Sequence, residues 1–352
     1  MTSKENNENP YSASMIRVLE GLEAVRIRPG MYTGSLDKKG VYEMIEQVLE
    51  SPLYAHSREQ CTRIRCAYSW NSGYITLEFD YAMPTQPDQY GVPHFDTLMQ
   101  RIHVGSKFHK TSYSFAVVNA LSIPSELEVW VDGTLWKRKY IAGHPVSELE
   151  ISKIGRSEWP QGTKLTFKPD TALFGYCELS EGHFHERFRH LAALHPGLHI
   201  EYTHSDEEPV VFYTPQGLEG LFSRGSSGPY LRIDAQKDDL CVRIVCQPHD
   251  RKDNTITSFA CDRFTKGGSH IEGLQDGLLQ AIQTWQDSDD VAFEDIHCLE
   301  AVIQVDMHYS NYRGQTREYL ECSKTYDFIK ERVIEACQKP EAKAFLSKIF
   351  WK

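Results

Sequence analysis

Residues 18–34 read VLEGLEAVRIRPGMYTG, and the spacing within them sets how the fold begins. Leu19, Leu22 and Val25 fall on one face at helical spacing, so a helix is predicted over residues 14–29 with Ser14 as its cap. Pro29-Gly30 is expected to end it, since proline cannot extend a helical hydrogen-bond ladder. Val41, Ile45 and Val48 repeat the spacing and predict a second helix over residues 40–49, broken by Ser51-Pro52. The period then changes to that of strands. Segments 61–70, 74–80, 126–132, 135–141 and 163–168 read as strands, several joined by Asn-Ser-Gly or Asp-Gly turns.

Further along, residues 181–194 read as a helix and 209–213 as a strand, after which Thr214-Pro215 is the expected domain boundary. Strands at 229–233, 240–247, 255–261 and 299–307 surround a helix at 269–285, whose Leu274, Leu278 and Ile282 share one buried face. A last helix covers 326–337, and 341–352 is expected to be a tail. This mixed order gives an α+β class with two layered units in succession.

Composition narrows the function classes. A formal net charge of -11 with no Lys/Arg-rich run argues against nucleic-acid binding, which needs a basic stripe to neutralise phosphates, so DNA contact is not indicated. No apolar run approaches a membrane span and the N-terminus lacks signal-peptide order, so a cytoplasmic protein with no membrane partner is expected. Nine cysteines lack paired metal-site spacing and are read as reduced, buried small residues, with Cys61, Cys66, Cys241 and Cys246 in strand-like surroundings. His183, His185, His190, His195 and His199 are read as surface groups of an amphipathic helix and its flank, and no metal site is expected. Residues 1–13 form a polar stretch read as a flexible arm.

The stretch VLEGLEAVRIRPGMYTG, followed in order by GSKFHKTSY (105–113), VVNALS (117–122), GTKLTF (162–167), KGGSHIEGL (266–274) and GQTRE (314–318), resembles bacterial gyrase B and topoisomerase IV B subunits. The resemblance covers their N-terminal ATPase and transducer region. It implies a GHKL (Bergerat-type) α/β sandwich over residues 14–213, then a transducer domain of the ribosomal-S5-domain-2-like kind over 214–340 with a right-handed β-α-β crossover.

In that family a helix presents a glutamate that activates water and, four residues on, an asparagine that holds magnesium; here those positions are Gln47 and Ser51. An amide cannot take the water's proton, and a serine hydroxyl is a poorer magnesium ligand than an amide carbonyl. The family's adenine-reading aspartate lies on a strand before a glycine-rich turn and a proline, a stretch that reads LEFDYAMP here. Counting back from Pro84 gives Glu78, whereas a two-residue deletion would give Asp80. Gly162 and Thr163 match the partner threonine segment, and Gln315 and Arg317 match the transducer loop that meets the γ-phosphate. The glycine-rich ATP lid has no counterpart, since Tyr113-Ser114-Phe115 leads almost directly into VVNALS. Tyr11 resembles the arm tyrosine that reaches the other subunit.

The implied protein has no catalytic group and no expected cofactor, ATP and magnesium remaining as the alternative. It acts by association, as a homodimer or with a topoisomerase or gyrase subunit. Regulation, inhibition, resistance and defence are all compatible roles. The alternative is a nucleotide-dependent ATPase or switch with an altered pocket.

Overall fold

The computed structural model describes residues 21–89, 91–102, 114–155, 157–223, 230–307, 310–313 and 318–350. In chain order the elements are α1 (Glu23–Ile27), α2 (Gly30–Thr33), α3 (Lys38–His56), β1 (Arg63–Ser69), β2 (Tyr74–Phe79), α4 (His94–Gln100), α5 (Ser114–Ala120), β3 (Ser122–Val131) and β4 (Thr134–Ile141). Then come β5 (His144–Pro145), β6 (Glu150–Lys153), β7 (Gly162–Pro169), α6 (Thr171–Phe174), α7 (Glu181–Leu194), β8 (His199–His204) and β9 (Val210–Phe212). The remainder is β10 (Leu231–Lys237), β11 (Leu240–Pro248), β12 (Thr255–Ala260), β13 (Arg263–Thr265), β14 (Gly267–Gly268), α8 (Ser269–Gln286), β15 (Leu299–Asp306), β16 (Tyr319–Leu320), α9 (Ser323–Cys337) and α10 (Ala342–Ile349).

Two compact units emerge. Met1–Ser51, Gly73–Ile75 and Ala82–Cys177 form the first; Pro52–Ser72, Thr76–Tyr81 and Glu178–Lys352 form the second. The second therefore runs across the expected boundary at residue 213.

In the first unit the strands lie in the order β5-β4-β3-β7-β2, with β6 beside β4. The Asp132-Gly133 turn joins antiparallel β3 and β4, and both residues have positive φ, the conformation that a tight hairpin turn demands. Leu127 and Val129 on β3 and Leu165 and Phe167 on β7 alternate into the core, and Met44 and Val48 of α3 are buried as well. Asp37 begins α3 by accepting the Lys39 N–H at 2.8 Å.

In the second unit β2, through Thr76–Phe79, is followed by β1, β8 and β9. β1 and β8 are parallel and β8 and β9 antiparallel. A separate five-stranded sheet has the order β10-β11-β15-β12-β13. Its β12 and β15 are parallel neighbours, so the chain between them must cross over, and α8 does so. Leu274, Leu278 and Ile282 on α8 are fully buried in this unit's core, each burial contributing about 1.5–3 kcal/mol. β15 is buried along nearly its whole length, as a central strand covered on both faces must be.

α8 and α9 pack closely because α8 carries glycine: a Cβ on Gly277 would lie 2.8 Å from Val333. Gly268, just before α8, has φ +124, and a Cβ there would overlap the Leu320 carbonyl oxygen. This is the close approach that pairs β14 with β16.

Several expectations need correction. The first helix ends at Ile27, and Gly30 opens α2 instead of ending a helix. α3 does not stop at Ser51-Pro52 but continues to His56 with Pro52 inside it. One backbone N–H is lost, and the buried Leu49, Leu53 and Ala55 on either side keep the helix in place. Residues 341–352, expected as a tail, contain α10, whose Phe345, Leu346 and Ile349 are buried.

Candidate functional site

α3 places Gln47 and Ser51 one turn apart, as their i, i+4 spacing requires. Gln47 donates its Nε2 to the Tyr32 carbonyl at 2.9 Å, so its amide is committed to the RPGMYTG segment. Ser51 is buried, and its Oγ, like Gln47 Oε1, has no hydrogen-bond partner among the described residues. Neither side chain is a base.

β2 alternates, so Ile75, Leu77 and Phe79 point into the core while Tyr74, Thr76 and Glu78 lie on the other face. Glu78 is 4.0 Å from Arg65 Nη1, and Arg65 Nε is 2.7 Å from Glu201, so the carboxylate joins a charged row along that face. Asp80, past the end of β2, is built into a turn. Its Oδ1 accepts the N–H groups of Thr62 at 2.8 Å and Arg63 at 3.1 Å, and its Oδ2 accepts the Thr62 hydroxyl at 2.6 Å. Burial raises the Asp80 pKa, but the bonds from Thr62 and Arg63 outweigh it and hold the carboxyl below its ordinary value. At the core-facing end of β2 stands Phe79, with no polar atom to offer.

Thr163, fully buried on β7 beside Gly162, accepts the Met83 N–H on its Oγ1 at 3.0 Å. Its hydroxyl thus holds the stretch before Pro84. Tyr11, the 105–113 segment, Gln315 and Arg317 lie outside the described residues. The described end of GQTRE, Glu318, meets the KGGSHIEGL segment: Lys266 N–H donates to the Glu318 carbonyl at 2.8 Å, and Lys266 Nζ is 2.7 Å from its carboxylate. Two landmarks 52 residues apart in sequence, Lys266 and Glu318, are therefore adjacent.

The two aligned positions on α3, Gln47 and Ser51, supply one amide oxygen and one hydroxyl, neither of them charged. Among the described residues no group of three or more His, Cys, Asp or Glu could hold a metal.

His183 is exposed, as the surface reading expects, whereas His190 departs from it. His190 is buried against Phe259, with ring centroids 5.0 Å apart, and burial pushes its pKa down to about 4. His195 is 2.9 Å from Asp262. Cys61, Cys66 and Cys246 are buried free thiols, whereas Cys241 is half-buried.

Sequence reasoning passed over Asn119, within VVNALS. Its Nδ2 donates to the carbonyl of Met99 at 2.7 Å and of Gly143 at 3.4 Å, and its Oδ1 accepts from Ser125 at 2.7 Å. An asparagine amid the apolar residues of α5 was the available signal, since a buried amide must find partners. Asp96 was missed as well: almost fully buried, it receives Arg138 at 2.6 Å and the Tyr140 hydroxyl, pinning α4 to β4.

No protein-family model matches the chain. A DNA gyrase B protein of Clostridium acetobutylicum is 31% identical over 344 residues, covering 90% of this chain and 53% of that protein. A DNA topoisomerase 4 B protein of Enterococcus faecalis is 31% identical over 304 residues, covering 80% of this chain and 43% of that protein. The chain thus spans about half the length of the curated relatives it matches. The 43K ATPase domain of Thermus thermophilus gyrase B superimposes with a TM-score of 0.76 at 21% identity, covering 89% of this chain and 88% of that one. The chain therefore has the GHKL fold followed by a transducer-like region, and it resembles the ATPase and transducer region of bacterial gyrase B and topoisomerase IV B subunits.

Proposed function

We propose that this chain is a B-subunit-like protein of the type II topoisomerase kind that works through association, without hydrolysing ATP. The observation that carries the reading is the Gln47 amide bonded to the Tyr32 carbonyl at the place where a water-activating carboxylate would have to stand. Loss of a general base alone lowers turnover by roughly 10²- to 10⁴-fold. Ser51 stands at the magnesium-ligand position, and Asp80, one of the two candidates for the adenine contact, is committed to the Thr62 turn.

In this reading residues 14–213 are the degenerate nucleotide-binding-like domain and 214–340 the transducer-like domain, Tyr11 belongs to an association arm, and the protein works in the cytoplasm. Its partner is a second copy or a topoisomerase subunit of the same fold. The first test is phosphate release by the purified chain with magnesium and ATP. A rate above background that a competitor of the gyrase nucleotide site abolishes would overturn the proposal.

A second reading has specific support. The curated relatives are named as gyrase and topoisomerase 4 proteins of the B kind over 80–90% of this chain, which favours a retained nucleotide-dependent role. Its candidate nucleotide-binding residues are Glu78 or Asp80, Gly162, Thr163, Gln315 and Arg317. Calorimetric titration with ATP and magnesium decides between them: saturable heat supports the switch, and its absence the association protein.

A further inference from the structure

Most sheet edges in the described residues are blunted. β5 has two residues, β6 four, β9 three and β13 three. β10 is different: seven residues, no proline, and an unbroken register with β11 from Leu231 to Lys237. Such an edge normally has to be shortened, bulged or covered, because its outward N–H and C=O groups template further pairing.

The Asp238-Asp239 turn closes β10 and β11 with two residues, so Lys237 and Leu240 are a hydrogen-bonded pair. Alternation then assigns Leu231, Ile233, Ala235 and Lys237 to β11, and turns the backbone groups of Arg232, Asp234 and Gln236 outward. A groove of about 440 Å³ runs beside this edge, between β10 and α9, with Phe328, Arg332 and Glu335 along its far wall.

We infer that the β10 edge pairs antiparallel with β10 of a second copy of this chain, making one continuous sheet from two five-stranded ones. The register is set by charge and parity. Centring the pair on Ile233 places Arg232 opposite the partner's Asp234 and Asp234 opposite the partner's Arg232. Residues with outward backbone groups then meet each other, as an antiparallel hydrogen-bonded pair requires. Within one strand Arg232 Nε is already 2.6 Å from Asp234, so the two copies complete a checkerboard of alternating charge. On the other face Leu231, Ile233 and Ala235 from each copy adjoin, and both α9 helices fall on the same side of the seam. This deepens the association reading by naming a surface separate from the N-terminal arm.

The test is sedimentation of the full chain with three variants, each checked for folding by circular dichroism and thermal melting. Asp234→Pro removes one outward N–H and no bond to β11, so it should weaken self-association about tenfold or more with little change in melting. Asp234→Arg should do the same by setting like charges across the seam, and the swap Arg232→Asp with Asp234→Arg should restore the dimer. A dimer that survives both single variants, a swap that fails to restore it, or a wild-type chain that is monomeric at tens of micromolar overturns the inference. If deleting residues 1–13 dissociates the dimer and the β10 variants do not, the β10 seam fails while the association reading stands. Absence of both self-association and binding to a purified gyrase B or topoisomerase IV B protein sinks both.

Discussion

His195 Nε2 lies 2.9 Å from Asp262 Oδ1, tying the end of α7 to the tip of the β12–β13 hairpin. Arg187 Nη1 donates to the Asp262 carbonyl at 2.7 Å, so one turn residue receives a side chain from α7 and another from the residue that follows it. His195→Ala should lower unfolding stability by about 1–2 kcal/mol. Asp262→Asn keeps an acceptor and tolerates the positive φ of 66, so its loss should be smaller. Denaturant unfolding of both variants and their double mutant measures the pair, and an additive double mutant would show that it is not coupled.

Asp80→Ala should cost about 1–2 kcal/mol of stability, since it removes the acceptor of the exposed Thr62 and Arg63 N–H groups, and should leave any nucleotide affinity unchanged. A variant of native stability that loses nucleotide binding would return Asp80 to the adenine-reading role.

Gln47→Glu combined with Ser51→Asn should not create magnesium-dependent ATPase activity. The charged carboxylate has no N–H to give Tyr32, and Asp80 stays in its turn. Turnover by the double variant, measured as phosphate release, would locate the whole defect in these two positions.

Stability should fall on acidification between about pH 6.5 and 4. Burial depresses His190 and His270 to about 4, so below their unfolded value of 6.5 the unfolded chain binds protons that the folded chain refuses. Each neutral ring contributes its full share above pH 6.5 and loses it as pH falls toward 4, at most about 3 kcal/mol apiece. Thermal melting of His270→Gln across this range should show a shallower slope; an unchanged slope would remove His270 from the account.

Gly268→Ala should be among the most damaging single substitutions, by about 3 kcal/mol or more. The added methyl meets the Leu320 backbone, which has no rotamer to move, and the required φ is foreign to alanine. A melting temperature within a degree or two of wild type would mean that β14 and β16 separate without penalty.

Legibility followed how local the determining physics is. α7 could be read to its terminal residues, Glu181 and Leu194, because an apolar stripe acts within one helix. The triplet Leu274, Leu278 and Ile282 was likewise visible as a face, and that face is the buried one. Pro52 misled because proline reads locally as a stop, while apolar burial on both sides carries α3 past it. α10 was hidden by the polar Lys339, Glu341 and Lys343 around its start, although its Phe345, Leu346 and Ile349 spacing was there to be read. Counting back from Pro84 leaves both Glu78 and Asp80 open, and it could not foresee that Asp80 is engaged by the Thr62 turn, a tertiary contact.

β15 sits between β11 and β12, bonded to one antiparallel and to the other parallel, yet it follows β12 only after the whole of α8. During synthesis the β10–β11 and β12–β13 hairpins can close from neighbouring residues, but neither can join the other until Leu299–Asp306 has emerged. Until then the nascent chain carries two strand flanks with buried apolar residues, Val242, Ile244 and Cys246 on one and Phe259 and Ala260 on the other, with nothing between them. The order of translation thus makes this one strand the commitment point of assembly, and any stalled chain shorter than about 300 residues a substrate for chaperones.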